Sequence, residues 1–135
     1  MRIRSRARAR GFTLIEMVVV ISLILVLLSI SLPMYDRSIV RAKEGKLHSN
    51  LTTLNKVIEA YSFDKRKAPQ ALDDLMQAGY LRFIPEDITG RSDTWVAEQE
   101  DPQKAWDPNQ PGIAFVHSGS NDMSTDGTPY SSWMK

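Results

Sequence analysis

Hydrophobic and polar positions divide the chain into three regimes. From Phe12 to Tyr35 the sequence is almost uniformly apolar and rich in Val, Ile and Leu, and Glu16 is its only charged residue. At about 1.5 Å rise per residue this run makes a helix of about 36 Å, enough to cross a hydrocarbon core of about 30 Å with some tilt. Beyond Tyr35 the run gives way to a period. Leu47, Leu51, Leu54, Ile58 and Tyr61 recur at helical spacing, while Lys46, His48, Asn50, Lys56 and Glu59 fall mostly off that stripe. Such a stripe predicts an amphipathic helix whose apolar face needs a partner. It ends in "DKRKAP", where Pro69 disfavours helical geometry in Ala68. The two regimes together predict one helix of about 50 residues. Two positions should disturb it. Gly45 costs about 1 kcal/mol relative to Ala in a helix interior, so a bend or flexible point is expected there. Pro33 lacks an N–H and weakens the helix around Ser29 to Leu32, as a stretchable segment or as a kink at the membrane boundary.

The third regime, residues 68–135, has short alternations and many turn residues. Leu72, Leu75 and Met76 predict a short helix stopped by Gly79, followed by Tyr80, Leu81, Phe83 and Ile84 as packing residues. Trp95 and Val96 suggest one strand and "GIAFVHSGS" a second, joined by the polar "QEDPQKAWDPNQP". The expected class is α+β: a long N-terminal helix, half membrane and half amphipathic, packed on a small head with a short antiparallel sheet.

Length and charge sharpen this picture. With 135 residues, a membrane segment leaves room for one small soluble domain. The formal charge is +1, from 17 basic and 16 acidic residues, but Arg2, Arg4, Arg6, Arg8 and Arg10 all precede the apolar run. Without those five the rest carries 12 basic and 16 acidic residues, net −4 with both histidines neutral. Arginines abutting an apolar run read as a cytoplasmic anchor, and no nucleic-acid partner is expected. Cysteine is absent, which excludes disulfides, thiol catalysis and Cys-bound zinc. His48 and His117 are far apart in sequence, and a structural surface role is expected for both. Asp73 and Asp74 near a helix start favour the dipole rather than acid–base work. No nucleophile with a base and no phosphate-cradling glycine loop is present, so enzyme activity is not expected.

Glu16 remains. A charged side chain costs roughly 2.5–3.5 kcal/mol at the centre of a membrane helix, less near an end, so such residues are usually paired or functional. A secretory signal peptide, with Ser29 and Ser31 as small residues for cleavage, or a plain membrane anchor would fit the charge and the apolar run. Neither explains the carboxylate. The segment "RGFTLIEMVVVISLILVLLSISLP" closely resembles the N-terminus of type IV pilins and pseudopilins, in which a leader ending in Gly is removed before Phe and a Glu occupies the fifth mature position. Gly11, Phe12 and Glu16 stand in those three places, and Pro33 matches a Pro common at mature position 22. The resemblance implies a leader 1–11 that is removed, a transmembrane and filament-core helix 12–35, an amphipathic helix 36–67 and a C-terminal head 68–135. It further implies cleavage between Gly11 and Phe12 with N-methylation of Phe12, and a role for Glu16 in assembly. The chemistry can be argued separately. Cleavage would give Phe12 an α-amino group with a pKa of about 8. In a neighbouring subunit that cation could meet Glu16, each charge offsetting the other's desolvation.

A second stretch, "APQALDDLMQAGYLRFIPEDITG", resembles the "S-L-x-D-L-x-x-x-G-Y-L-x-x-I-P-x-D-P-x-T-G" segment of the major pseudopilins of type II secretion systems. Asp87 and Gly90 keep its frame, and Ile88 replaces the more usual Pro. In "NDMSTDGTPYSSW", Asp122, Ser124 and Asp126 alternate before Gly127, the front half of a calcium loop, although Trp133 stands where an EF-hand places its Glu. Calcium, with Asp122, Ser124 and Asp126 among its ligands, and a plain turn without an ion are both open; no other cofactor is expected. Trp133 and Tyr130 are expected to clamp the tail to the head. The resemblance implies a structural subunit that polymerises into a periplasmic fibre of a type II secretion system. Its expected partners are the prepilin peptidase, further copies of itself, minor pseudopilins and an inner-membrane assembly platform. The chain would first lie in the inner membrane, N-terminus cytoplasmic and head periplasmic. The alternatives are a type IV pilus subunit for adhesion, motility or DNA uptake, and a monomeric membrane-anchored binding module.

Overall fold

The computed structural model describes residues 11–134. Its elements are α1 (Leu14–Lys65), α2 (Leu72–Gln77), β1 (Trp95–Gln99), β2 (Ile113–Ser118) and a 3₁₀ turn, Tyr130–Ser132. The class is α+β, one long N-terminal helix and a small head with a two-stranded antiparallel sheet, as the pattern predicts. The chain divides into two compact units at Ser38 and Ile39, and the proposed leader lies almost wholly outside the described residues.

Among the described residues of the first unit every large apolar side chain is exposed, from 40% at Met17 to 87% at Leu14. The segment is long and apolar enough to cross a membrane. Its hydroxyls are satisfied inside the helix: Ser22 donates to the Val18 carbonyl, Ser29 to Val26 and Ser31 to Leu27. This back-bonding spares these three serines the need of a partner in an apolar medium. Neither expected disturbance interrupts the element. α1 runs its 52 residues through Pro33 and Gly45, because losing one hydrogen bond at Pro33 leaves the neighbouring turns intact. A Cβ on Gly45 would meet nothing within 4 Å, so this glycine answers to no packing constraint in the chain.

In the second unit the stripe on α1 becomes the wall of the core. Leu47, Leu51, Leu54 and Ile58 are at most 1% exposed. Leu54, Ile58 and Tyr61 pack with Leu75 of α2 and with Ile113 and Val116 of β2. Leu47 and Leu51 pack with Tyr130, flanked by Ile88, Trp95 and Trp133. Trp95 joins both clusters and donates its indole N–H to the Pro85 carbonyl at 2.8 Å. The short helix α2 starts where Asp74 accepts the N–H groups of Gln70 and Ala71, at 2.8 and 3.0 Å. It stops at Gly79, whose φ of +80° suits glycine.

β1 and β2 pair from Trp95 with Ser118 to Gln99 with Ile113, with a bulge at Glu98 and Gln99. Ile113 and Val116 stand three apart, which strict alternation would put on opposite faces. The bulge shifts the register and lets both reach the helix. Asn55 of α1 then grips the middle of β2: its side-chain oxygen accepts the Val116 N–H at 2.8 Å and its amide donates to the Val116 carbonyl at 3.2 Å. Gly112 permits the entry to β2, since a Cβ there would stand 2.6 Å from the Pro69 carbonyl oxygen. His117 departs from the surface role expected of it. It is buried, with Nδ1 2.9 Å from the Ser118 carbonyl oxygen and Nε2 3.1 Å from the Glu98 carboxylate.

Candidate functional site

At the N-terminal end, Gly11, Phe12 and Thr13 precede the helix without regular secondary structure and are exposed. Gly11 lies outside the left-handed region that favours glycine, and a Cβ on it would touch nothing, so neither strain nor packing accounts for it. Thr13 caps the helix. Its hydroxyl accepts the Glu16 N–H at 3.3 Å and its carbonyl accepts the Met17 N–H at 3.2 Å. In a full capping box the acidic side chain would reach back to the cap. No such bond forms: among the described residues the Glu16 carboxylate has no hydrogen bond or ion pair, and it is exposed. The backbone of Glu16 thus serves the helix start, and its carboxylate takes no part in the cap.

At the other end, the candidate calcium residues lie in a hairpin closed by its own backbone. Ser124 N–H donates to the Thr128 carbonyl at 2.8 Å, Gly127 to Ser124 at 3.0 Å and Tyr130 to Asp122 at 3.1 Å. The Ser124 side chain is buried; it shares a hydrogen bond with the Thr128 hydroxyl at 3.1 Å and accepts the N–H groups of Asp126 and Thr128, each at 3.3 Å. Asp122 accepts the Ser120 hydroxyl at 3.0 Å. Asp126 is exposed. Among the described residues no three His, Cys, Asp or Glu side chains are arranged to hold a metal ion.

What the hairpin does reach is Glu44. This carboxylate of α1 is 7% exposed, with both oxygens engaged. Oε1 accepts the Thr125 N–H at 2.6 Å and the Tyr130 hydroxyl at 3.0 Å, and Oε2 accepts the Thr125 hydroxyl at 2.6 Å. Burial by itself raises this carboxyl's pKa, but the Thr125 and Tyr130 hydrogen bonds, with Arg41 one turn away, outweigh it and hold Glu44 below the ordinary carboxylate range. The Tyr130 phenol moves the other way, raised by burial and by its bond to Glu44. Tyr130 and Trp133 meet edge to face at 5.3 Å, and His48 of α1 meets Trp133 at 6.5 Å. The expected aromatic clamp is present, with a carboxylate at its centre.

A second buried carboxylate fixes the turn before β1. Asp87 Oδ2 accepts the hydroxyls of Thr94 and Ser118, both at 2.8 Å, and Oδ1 accepts the Ile88 N–H at 2.6 Å. Pattern reading missed Glu44 and gave Asp87 only a place in a motif. One signal was available for Glu44: it stands three residues before Leu47, on the apolar stripe itself.

With this geometry in place, the comparisons concern the N-terminal region. Residues 6–32 match the prokaryotic N-terminal methylation motif, the type IV pilin-like signal. The matched segment contains Gly11, Phe12 and Glu16 and ends one residue before Pro33. No curated protein and no solved structure matches the chain. The motif supports a pilin-like, membrane-anchored subunit.

Proposed function

We propose that this chain is a structural pseudopilin, a subunit that polymerises into a periplasmic fibre of a type II protein secretion system. A prepilin peptidase cuts between Gly11 and Phe12 and methylates the new terminus. The single observation that carries the reading is Glu16: a carboxylate inside a methylation motif, exposed and without a partner among the described residues. Processing supplies the missing cation on Phe12, and a neighbouring copy brings it within reach. The exposed apolar side chains of Leu14 to Met34 are then covered first by lipid and later by the same helix of other subunits. Further partners follow from this reading: minor pseudopilins and an inner-membrane assembly platform.

The secretion fibre is favoured over a pilus by the stretch Leu72 to Gly90, with its resemblance to major pseudopilins and its short helix, glycine stop and Asp87 turn. The tests separate the readings. Mass spectrometry of the mature protein should give a methylated Phe12 as first residue; a start at Leu32 would return the segment to a signal peptide. Glu16→Ala should leave the protein in the membrane and abolish its incorporation into fibres, and unchanged incorporation would remove the pairing. Neighbouring genes for a secretin and a secretion ATPase support the secretion system, whereas a retraction ATPase would point to a pilus. A processed protein that stays monomeric would support the binding module.

A further inference from the structure

The C-terminal hairpin has the sequence of half a calcium loop, but its donors are arranged for another purpose. Calcium takes about six to eight oxygen ligands, drawn from carboxylates, carbonyls and water. Here the Ser124 oxygen is buried and already bonded to Thr128 and to two backbone N–H groups. Asp122 is bonded to Ser120, and its own carbonyl accepts the Tyr130 N–H. The turn between them is closed by backbone bonds at both ends. Among the described residues no buried side-chain nitrogen or oxygen lacks a partner, so the buried Ser124 oxygen is committed within the loop, while the Asp122 and Asp126 carboxylates stand at the exposed surface.

Glu44 supplies what such an ion would otherwise supply, a fixed charge on which a loop rich in polar groups can settle. The difference lies in sign. A cation gathers oxygens, whereas this carboxylate gathers the Thr125 N–H, the Thr125 hydroxyl and the Tyr130 hydroxyl. Hydrogen bonds to an ionised acceptor are roughly twice as strong as neutral ones, and three of them compensate a buried carboxylate. Their donors are separated from Glu44 by 81 and 86 positions in sequence, so the contact joins the tail to the first turns of the solvent half of α1.

We propose that the buried carboxylate of Glu44 holds the C-terminal loop in place of a metal ion, so that the second unit folds, and the subunit is competent to assemble, without calcium. The statement about assembly rests on the fibre reading above; the statement about the loop does not. The test uses the full chain in detergent micelles, with unfolding followed by the fluorescence of Trp133, Trp95 and Trp106. The unfolding midpoint should be the same in EGTA and in millimolar calcium. Glu44→Gln should lower the midpoint by about 4–8 °C, and calcium should not restore it. It should also open Asp122 to Trp133 to protease before the rest of the head. Should Glu44→Gln fail to fold, Thr125→Val removes only one of the three donors and should give the same tail-first cleavage at a smaller shift. A midpoint that rises with calcium concentration and loses that rise in Asp126→Asn would overturn the proposal, as would an undisturbed tail in the Glu44 and Thr125 variants. If the loop stays docked in EGTA but processed subunits form no fibre with or without calcium, the fibre reading fails and the role of Glu44 stands.

Discussion

α1 presents the same kind of side chain under two opposite conditions. Between Leu14 and Ser38 its leucines, isoleucines and valines are all exposed, Leu25 by 60%. From Leu47 to Ile58 the same residue types are sealed against two core clusters. Intrinsic helix propensity therefore does not decide between the halves; the partner does. On the proposed reading the first half would be completed by another molecule, a lipid or a further subunit; the second is completed by the protein's own head. Mutation should separate these two debts cleanly.

The largest contrast is expected between Leu51→Ala and Leu25→Ala. Leu51 is fully buried, and truncation should cost about 2–5 kcal/mol in urea unfolding followed by tryptophan fluorescence. Leu25→Ala should change that transition by less than about 0.5 kcal/mol, while reducing packing between copies in a crosslinking assay. An equal effect of the two would erase the distinction.

Acid provides the next test. Because the pKa of Glu44 is lower folded than unfolded, its contribution is complete above the ordinary carboxylate range and is lost as the pH falls through the lowered folded value. Tyr130 has a raised pKa, so its contribution is present below the ordinary tyrosine value and lost as the pH rises through the folded one. Docking of the tail, read by Trp133 fluorescence, should thus hold across neutral pH and loosen at both extremes. In Glu44→Gln the acid limb should flatten.

Smaller effects probe the join itself. Gly45→Ala should stabilise the second unit by about 1 kcal/mol, since nothing obstructs the added methyl and alanine favours the helix. If assembly nevertheless falls, glycine serves contacts between copies. Smallest of all, Lys46→Ala removes an exposed ion pair with Glu86 at 2.9 Å and should cost between zero and about 1 kcal/mol.

How far the sequence reveals this structure depends on the range of the contact. The apolar run, the i, i+4, i+7 stripe and the glycine stop at Gly79 are local signals, and they locate α1, α2 and both strands. Gly45 and Pro33 show the limit of local costs, because a penalty near 1 kcal/mol or one missing bond does not break a helix anchored on one side by a core. His117 stands on the face opposite Val116 and is buried through its contacts with the Ser118 carbonyl and with Glu98 of the paired strand, which alternation along β2 does not report. The Asp87 bond to Ser118 and the Glu44 bonds to the tail escape because they span 31 and 81 or more residues, and no periodicity reports that distance. The C-terminal loop shows the same limit of range: alternating oxygens are visible in a row, whereas Glu44, which receives their neighbours, lies on another element.

The grip of Asn55 on Val116 has a consequence for crowding. A two-stranded sheet leaves open edges, and an open edge is a template for another chain's backbone. In a fibre, many heads would be held side by side at high local concentration, the condition under which such edges fuse. By occupying both hydrogen-bonding groups at the middle of β2, a single carboxamide insulates that edge. If the proposed fibre forms, its helices could then pack together without the heads zipping into aggregates.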